Sequence, residues 1–462
     1  MPVSIVPVMA ALAGLGFAPS EPPAPSSLLI TGVVLVDTEE GTVSTPRDIL
    51  IEDGRIVEIE AAGRLSRDRA VTIVDGTGKY ALPGLIDVHA HLGDGGARAQ
   101  TDDDREQALR QFLRYGVTTI FVPGGGGGND DQLARWRVRC AAGEIACPGL
   151  YGSGAIITAA GSHPISTIFG LPVDADPAVA YERGASALRA TEDPEELVAT
   201  RIAKGADAIK IVIEDGPPPW YPKPRLSDEQ VGALASAAHR RNVPIYAHVS
   251  RAAHVASALD GGVDGIMHAP LEPMPAPLLR RMTEARMFLV ATLSLYDGID
   301  DWTARRPEDD AYALAGVSKQ ALESLAHLGF LAAAPESTAD ARAYVKAAGD
   351  NLVRAAAMGV PLALGTDTSN PFVYPGYAAH EELALMVASG LTPGQALRAA
   401  TSGGAAFLGK KDRLGRIAPG YEADMLILRA NPLADIAGTR AIDTVVSDGR
   451  IIIDPVSTAP TG

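Results

Sequence analysis

Two histidines one residue apart close the run Leu82-Pro83-Gly84-Leu85-Ile86-Asp87-Val88-His89-Ala90-His91. The run is apolar before them and reads as a buried strand. Side chains alternate faces along a strand, so positions i and i+2 point the same way. His89 and His91 therefore present two imidazoles to one side, at a spacing that can share a divalent metal. Two ordinary polar residues on a strand would look the same. Four further polar residues sit on apolar strand-like runs: Lys210 within Ala208–Ile213, His248 after Pro244–Ala247, His268 after Gly265–Met267, and Asp367 after Leu364-Gly365-Thr366. Burying a lone lysine on an apolar strand is costly. Two readings of Lys210 follow. Carboxylation by CO2 would turn the cation into an anionic oxygen ligand able to bridge two metals. Alternatively it is an ordinary lysine paired with an acidic neighbour such as Glu214. His163, in Thr158-Ala159-Ala160-Gly161-Ser162-His163-Pro164, follows another strand, so five of the nine histidines stand at strand ends. His239 and His254 fall on helical stretches and read as surface or packing residues. His327 lies in an insertion and has no assigned role.

Placing these residues together requires strands that converge. Apolar, β-branched runs alternate with helical stretches such as Glu106–Tyr115, Asp228–Arg241 and Ala252–Leu259. The strand candidates are Gly84–Val88, Thr118–Val122, Gly149–Ile156, Ala208–Ile213, Pro244–Ala247, Gly265–Met267, Phe288–Thr292 and Pro361–Gly365. Near-continuous apolar strands alternating with helices imply a parallel sheet covered on both faces. Eight such units predict an α/β fold, a (β/α)8 TIM barrel, whose chemistry sits at the C-terminal strand ends. A doubly wound open sheet is the runner-up, but its glycine-rich phosphate fingerprint is absent. The run Gly124–Gly128 reads instead as a flexible active-site loop. Short strands without helices flank the barrel: Leu28–Val36, Asp48–Glu52, Arg55–Ile59 and Val71–Val74 before it, Ala423–Leu428, Thr444–Val446 and Arg450–Ile453 after it. Neither set could bury a core alone, so the two are expected to pack as one small β-sandwich. The resulting division is 1–27 as signal peptide and linker, 28–82 as the first part of the sandwich, 83–407 as the barrel and 408–462 as the second part. Asp297–Ala348 exceeds a plain crossover and is either a helical lid or a surface insertion.

With 462 residues the chain has room for two or three domains. Its net charge of −16 argues against nucleic acid or an anionic membrane as partner. Val3–Ala18 is apolar or small and is followed by a Pro-rich stretch, the pattern of a secretory signal and tether, although it lacks a basic start. A periplasmic or secreted location is expected, with the cytoplasm as the alternative. Cys140 and Cys147 could pair in an oxidising compartment. They are too few for a disulfide framework or a cysteine-based zinc site.

Taken together, the pattern resembles the amidohydrolase superfamily, and within it the imidazolonepropionase- and prolidase-like members. The likeness runs over nearly the whole chain. It rests on Leu82–His91, the Lys210 strand, Ala247-His248, Gly262–His268, Gly365-Thr366-Asp367, Leu391–Leu397 with Ala400-Thr401, and Gly415–Asp424. The resemblance implies two divalent metal ions, zinc above all. His89, His91 and Asp367 would hold the more buried ion, His248 and His268 the second, and carboxylated Lys210 would bridge them. Metal coordination lowers the pKa of bound water to roughly 7, and Asp367 would carry the proton from that water to the leaving nitrogen. Relatives often carry Thr-Gly-Gly-His where His163 stands, a residue suited to polarising the substrate carbonyl. They often have a tyrosine where this chain has Ser250, which puts a tyrosine-assisted variant in doubt. Arg251 could bind a substrate carboxylate, and His380 could reach the site from a helix after the last strand.

The function this implies is hydrolysis of an amide-type C–N bond in a peptide, N-acyl compound or cyclic amide, with a small molecule or dipeptide as substrate. A mononuclear imidazolonepropionase- or deaminase-like hydrolase, needing no lysine carboxylation, is the first alternative. A non-catalytic barrel used for binding is the second. Self-association and the choice of substrate are left open.

Overall fold

A computed structural model of the chain describes residues 27–93, 100–126, 128–189, 192–216, 221–304, 310–325 and 341–453. The expected leader, nearly all of its linker, and His327 lie outside the described residues. Strands are numbered in chain order. First come β1 (Ser27–Asp37), β2 (Thr42–Glu52), β3 (Arg55–Ala61), β4 (Thr72–Asp75) and β5 (Tyr80–Pro83). The central ones are β6 (Leu85–Asp87), β7 (Val117–Val122), β8 (Gly149–Gly152), β9 (Ile156–Ala159), β10 (Ala185–Leu188), β11 (Ile209–Val212), β12 (Ile245–His248), β13 (Gly265–Met267), β14 (Phe288–Val290) and β15 (Leu362–Ala363). Last are β16 (Met425–Leu428), β17 (Ile442–Ser447) and β18 (Arg450–Ile453).

The two chain ends do combine, but in one sheet rather than a two-sheet sandwich. Its order is β18-β17-β16-β5-β1-β2-β3, with β4 beside β1. The joint is β5 with β16, antiparallel, Leu82 opposite Leu426. Each piece thereby pairs an edge that would otherwise stand open. Alternation along the strands then divides the apolar side chains. Leu28, Ile30, Ile49, Ala81, Met425 and Ile427 form a core of their own. Leu82, Leu426, Leu428 and Val445 turn the other way and join the central core.

The central strands are parallel and fall into two arcs, β6-β7-β8 and β10-β9-β11-β12-β13-β14-β15. The fold is TIM-barrel-like, although among the described residues the strands do not form one closed ladder. Single backbone bonds tie the arcs: Asp207 N–H donates to Gly152 O at 2.8 Å, Val88 N–H to Leu364 O at 2.9 Å, and Asp367 N–H to His89 O at 2.7 Å. The strand expected over Gly149–Ile156 is broken into β8 and β9. The break contains Gly154, whose φ of +67° and approach to Asp130, 2.2 Å from where a Cβ would sit, leave no room for a side chain. The run Leu82–His91, read as one strand, is also divided at Gly84, with β5 in the terminal sheet and β6 in the barrel arc.

Several helices start on a capping box, which satisfies otherwise unpaired amides of the first turn. Examples are Thr101 with Asp104, Ser227 with Gln230 and Thr392 with Gln395. In the long insertion, residues 305–309 and 326–340 are not described. The described part packs inward: Ala313 and Leu325 cluster with Tyr115, Tyr374 and Tyr377, and Asp310 pairs with Arg440. Cys140 and Cys147 form a disulfide. Among the described residues no helix is long and apolar enough to cross a membrane.

Candidate metal centre

Strand β6 ends at Asp87, so His89 and His91 stand just beyond it rather than within it. They converge nonetheless. His89 Nε2 lies 3.3 Å from Asp367 Oδ1, and His91 Nε2 lies 2.9 Å from the same oxygen. One ligand atom from each of the three falls within 4.8 Å of the others. His91 Nδ1–H donates to Gly124 O at 2.6 Å, which leaves the Nε2 lone pair for a cation. A partner on the far nitrogen that fixes the tautomer is the usual device of metal-binding histidines. This contact also gives Gly124–Gly128 a role: the run supplies the carbonyl that orients His91.

Asp87 clamps this corner. Its carboxylate accepts from His89 N–H at 3.0 Å, Thr366 N–H at 3.2 Å and Thr366 Oγ1–H at 2.5 Å. The bonds join the end of the first barrel strand to the end of the last. Burial still pushes the Asp87 carboxyl up to about 7. The backbone around the site is strained in the left-handed region: Asp367 has φ +59°, His268 +75° and Thr292 +52°. Non-glycine residues there cost about 1–3 kcal/mol each and tend to cluster at functional sites.

His268 is fully buried and ordered by Thr292. The Thr292 hydroxyl donates to Ala291 O at 2.8 Å, so it accepts from His268 Nδ1–H, also at 2.8 Å. His268 Nε2 is again the free nitrogen. Ring contacts chain the histidines together: His89 to His268 at 4.8 Å, His268 to His248 at 4.3 Å, and His248 to His163 at 4.8 Å between centroids. Burial depresses His89 to about 3 and His163 to about 4, and it lowers His268 as well. Burial alone would raise the Asp367 carboxyl, but His89 and His91 beside it hold it well below the carboxylate range. Neutral imidazoles beside an ionised carboxylate are what a divalent cation needs.

Sequence reasoning did not pick out Glu214 as a ligand. It ends the apolar strand of Lys210 just as Asp367 ends its own, and that position was the available signal. Its side chain is 0% exposed, and Oε1 lies 3.1 Å from His248 Nε2 and 4.0 Å from His163 Nδ1. His163, Glu214 and His248 thus form a second compact ligand group. His163 also contacts Thr167 Oγ1 through Nδ1 at 2.7 Å. Burial would raise Glu214, yet His248, His163 and the Ser250 side chain together outweigh it and lower the carboxyl to about 2.

Lys210 is buried, and desolvation pushes its amine down to about 7. Its Nζ lies 2.8 Å from Met267 Sδ. Asp367 and Glu214 act on the amine through their charges, although it makes no close ion pair with Glu214 among the described residues. One expected substrate residue lies elsewhere. His380 is enclosed away from the group: Nε2–H donates to Tyr115 O at 2.9 Å and Nδ1 meets Thr439 Oγ1 at 3.0 Å. With both ring nitrogens committed to packing against the C-terminal segment, it does not serve the site. Arg251 stacks its guanidinium over Tyr221, 4.3 Å from the ring centroid. His254, expected as a surface or packing residue, is buried with Nε2 3.2 Å from Asp215 Oδ1.

The model of the amidohydrolase family matches residues 80–452. Over 332 residues the chain is 30% identical to an ochratoxinase of Aspergillus niger, a match covering 68% of this chain and 62% of that protein's length. It is 27% identical to an imidazolonepropionase of Rubrobacter xylanophilus, covering 90% and 93% of the two chains. A solved Xaa-Pro dipeptidase shares the fold at TM-score 0.71 and 24% identity, covering 92% of this chain and 99% of that one. The family match extends through the strand ends that carry both ligand groups: this chain belongs to the amidohydrolase family.

Proposed function

We propose that the protein is a metal-dependent hydrolase of amide-type C–N bonds in small molecules. The observation that carries this reading is the convergence of His89, His91 and Asp367 from the ends of the first and last barrel strands, with His91 oriented by Gly124 O. A divalent ion such as zinc, when bound, acidifies water and polarises a carbonyl. The residues supply the rest. Asp367, placed between the two histidines, accepts the proton of the attacking water and returns it to the leaving nitrogen. Asp87 holds the His89 backbone so that the imidazole does not drift. Two ions are proposed, with His248 and His268 on the outer one. A CO2-derived carboxyl on Lys210 would set an anionic oxygen between them. The similarity to ochratoxinase and imidazolonepropionase, and the fold shared with an Xaa-Pro dipeptidase, support small amides, dipeptides among them, as substrates. The Cys140–Cys147 disulfide supports a periplasmic or secreted location, since such bonds persist in oxidising compartments.

The test is a screen of dipeptides, N-acyl amino acids and lactams on zinc-loaded protein. Hydrolysis of one class is expected, falling at least about 1,000-fold in kcat/KM in Asp367→Asn, because both a ligand and the proton carrier are changed. Turnover that survives this substitution, or zinc-loaded protein that cleaves none of the three classes, would refute the proposal.

A further inference from the structure

We infer that Glu214 is itself a ligand of the outer metal ion, forming with His163 and His248 a protein-supplied site that holds the ion whether or not Lys210 is carboxylated. The inference rests on the metal-dependent reading above. Three observations carry it. First, the ligand atoms of His163, Glu214 and His248 lie within 4.8 Å of one another, as tightly grouped as those of His89, His91 and Asp367. Second, both Glu214 oxygens are fully buried, and only His248, with Nε2 3.1 Å from one of them, and the Ser250 side chain stand by as donors. A buried carboxylate with so few donors is costly, and native structures usually satisfy such a group more fully. A cation between Glu214 and His248 would satisfy both oxygen and nitrogen lone pairs at once. Third, the residue that would otherwise bring negative charge here, Lys210, is a cation or neutral amine as synthesised and has its Nζ against Met267 Sδ. Glu214 stands two residues beyond the end of β11, the strand that carries Lys210.

The assignment changes the role expected for His163. It becomes a ligand of the outer ion, so polarisation of the substrate carbonyl would fall to the ions. It also gives the outer site a permanent negative charge. An aspartate anchors the inner group beside His89 and His91, and a glutamate the outer beside His163 and His248, with the His268 proposed above for the same ion. Loading of the second ion then needs no bicarbonate.

The experiment counts metal rather than turnover. Purified full-length protein is stripped with a chelator, reloaded with cobalt or zinc in bicarbonate-free buffer, and read by elemental analysis and by the visible cobalt spectrum. Wild type and Lys210→Met are each expected to hold two ions per chain. Glu214→Gln is expected to hold one, with outer-site affinity down at least 100-fold and the inner-ion spectrum unchanged. Retention of that inner spectrum shows that the variant is folded. Should Glu214→Gln not fold, Glu214→Asp keeps the charge but shortens the reach, and a tenfold loss confined to the outer ion is expected. Two ions bound with wild-type affinity in either Glu214 variant would overturn the assignment. So would loss of the outer ion in Lys210→Met or on removing bicarbonate. A wild type that binds no divalent ion at all would instead refute the metal-dependent reading itself, and the two failures are distinguishable.

Discussion

Asp87 illustrates how far a residue can act without touching a ligand. It lies two residues before His89 in the same short run, yet its three donors come from both the first and the last barrel strands. Removing its carboxylate would leave Thr366 N–H and the His89 amide without their buried acceptor, a loss of about 1–3 kcal/mol. Asp87→Ala is therefore expected to lower stability by that amount and to weaken the inner ion at least tenfold. Asp87→Asn keeps an acceptor oxygen and should lie between the two. Chemical unfolding and a metal titration check both parts. Equal metal affinity in all three proteins would show that the clamp does not position His89.

At the scale of elements, the end of β15 is held against the first barrel strand by a glycine. A Cβ on Gly365 would lie 2.7 Å from His89 Cβ and 2.5 Å from Val290 Cγ1. Neither neighbour can yield, since one positions a ligand and the other is buried in the strand beside it. Gly365→Ala should destabilise the protein by about 1–3 kcal/mol, as overpacking does, and lower inner-metal affinity through His89. A variant with unchanged melting temperature and metal content would show that the strand ends adjust freely. The same elements explain what could be read from the sequence. His89, His91, His248, His268 and Asp367 were legible because each interrupts or follows an apolar run, and the alternation of strands and helices brings such ends to one place. Glu214 carried the same signal, a polar residue closing an apolar run, but beside Lys210 it was read only as that lysine's acidic neighbour. Strand β10 escaped notice because four residues of Ala-Ser-Ala-Leu carry no strand signal apart from their neighbours. The terminal sheet was expected as a sandwich because alternation reveals which side chains share a face. It does not reveal that β5 and β16 hydrogen-bond edge to edge.

Across the whole molecule, buried polar groups tie the centre to its surroundings. Glu382, on the helix Tyr377–Ser389, accepts from Ser294 N–H at 2.7 Å, and Ser294 Oγ–H donates to Thr366 O at 3.0 Å. Thr366 in turn donates to Asp87. The chain of bonds runs from an outer helix through the seventh strand's end to the metal corner. Burial pushes the Glu382 carboxyl up to about 7 from the usual 4.5. The folded protein therefore keeps this proton where the unfolded chain has already released it. Folded protein binding more protons than unfolded means that stability falls as pH rises between about 4.5 and 7, and levels off above. A glutamine at this position has the same shape, can still accept from Ser294, and never ionises. Glu382→Gln should thus be close to wild type at pH 5 and more stable at pH 8 by about 1–3 kcal/mol. Thermal unfolding at the two pH values, on protein stripped of metal so that ion binding does not add its own pH dependence, reads the difference. A stability gap that is equal at pH 5 and pH 8 would mean that Glu382 is ionised in the folded chain, held by donors on this helix-to-strand link stronger than burial alone allows.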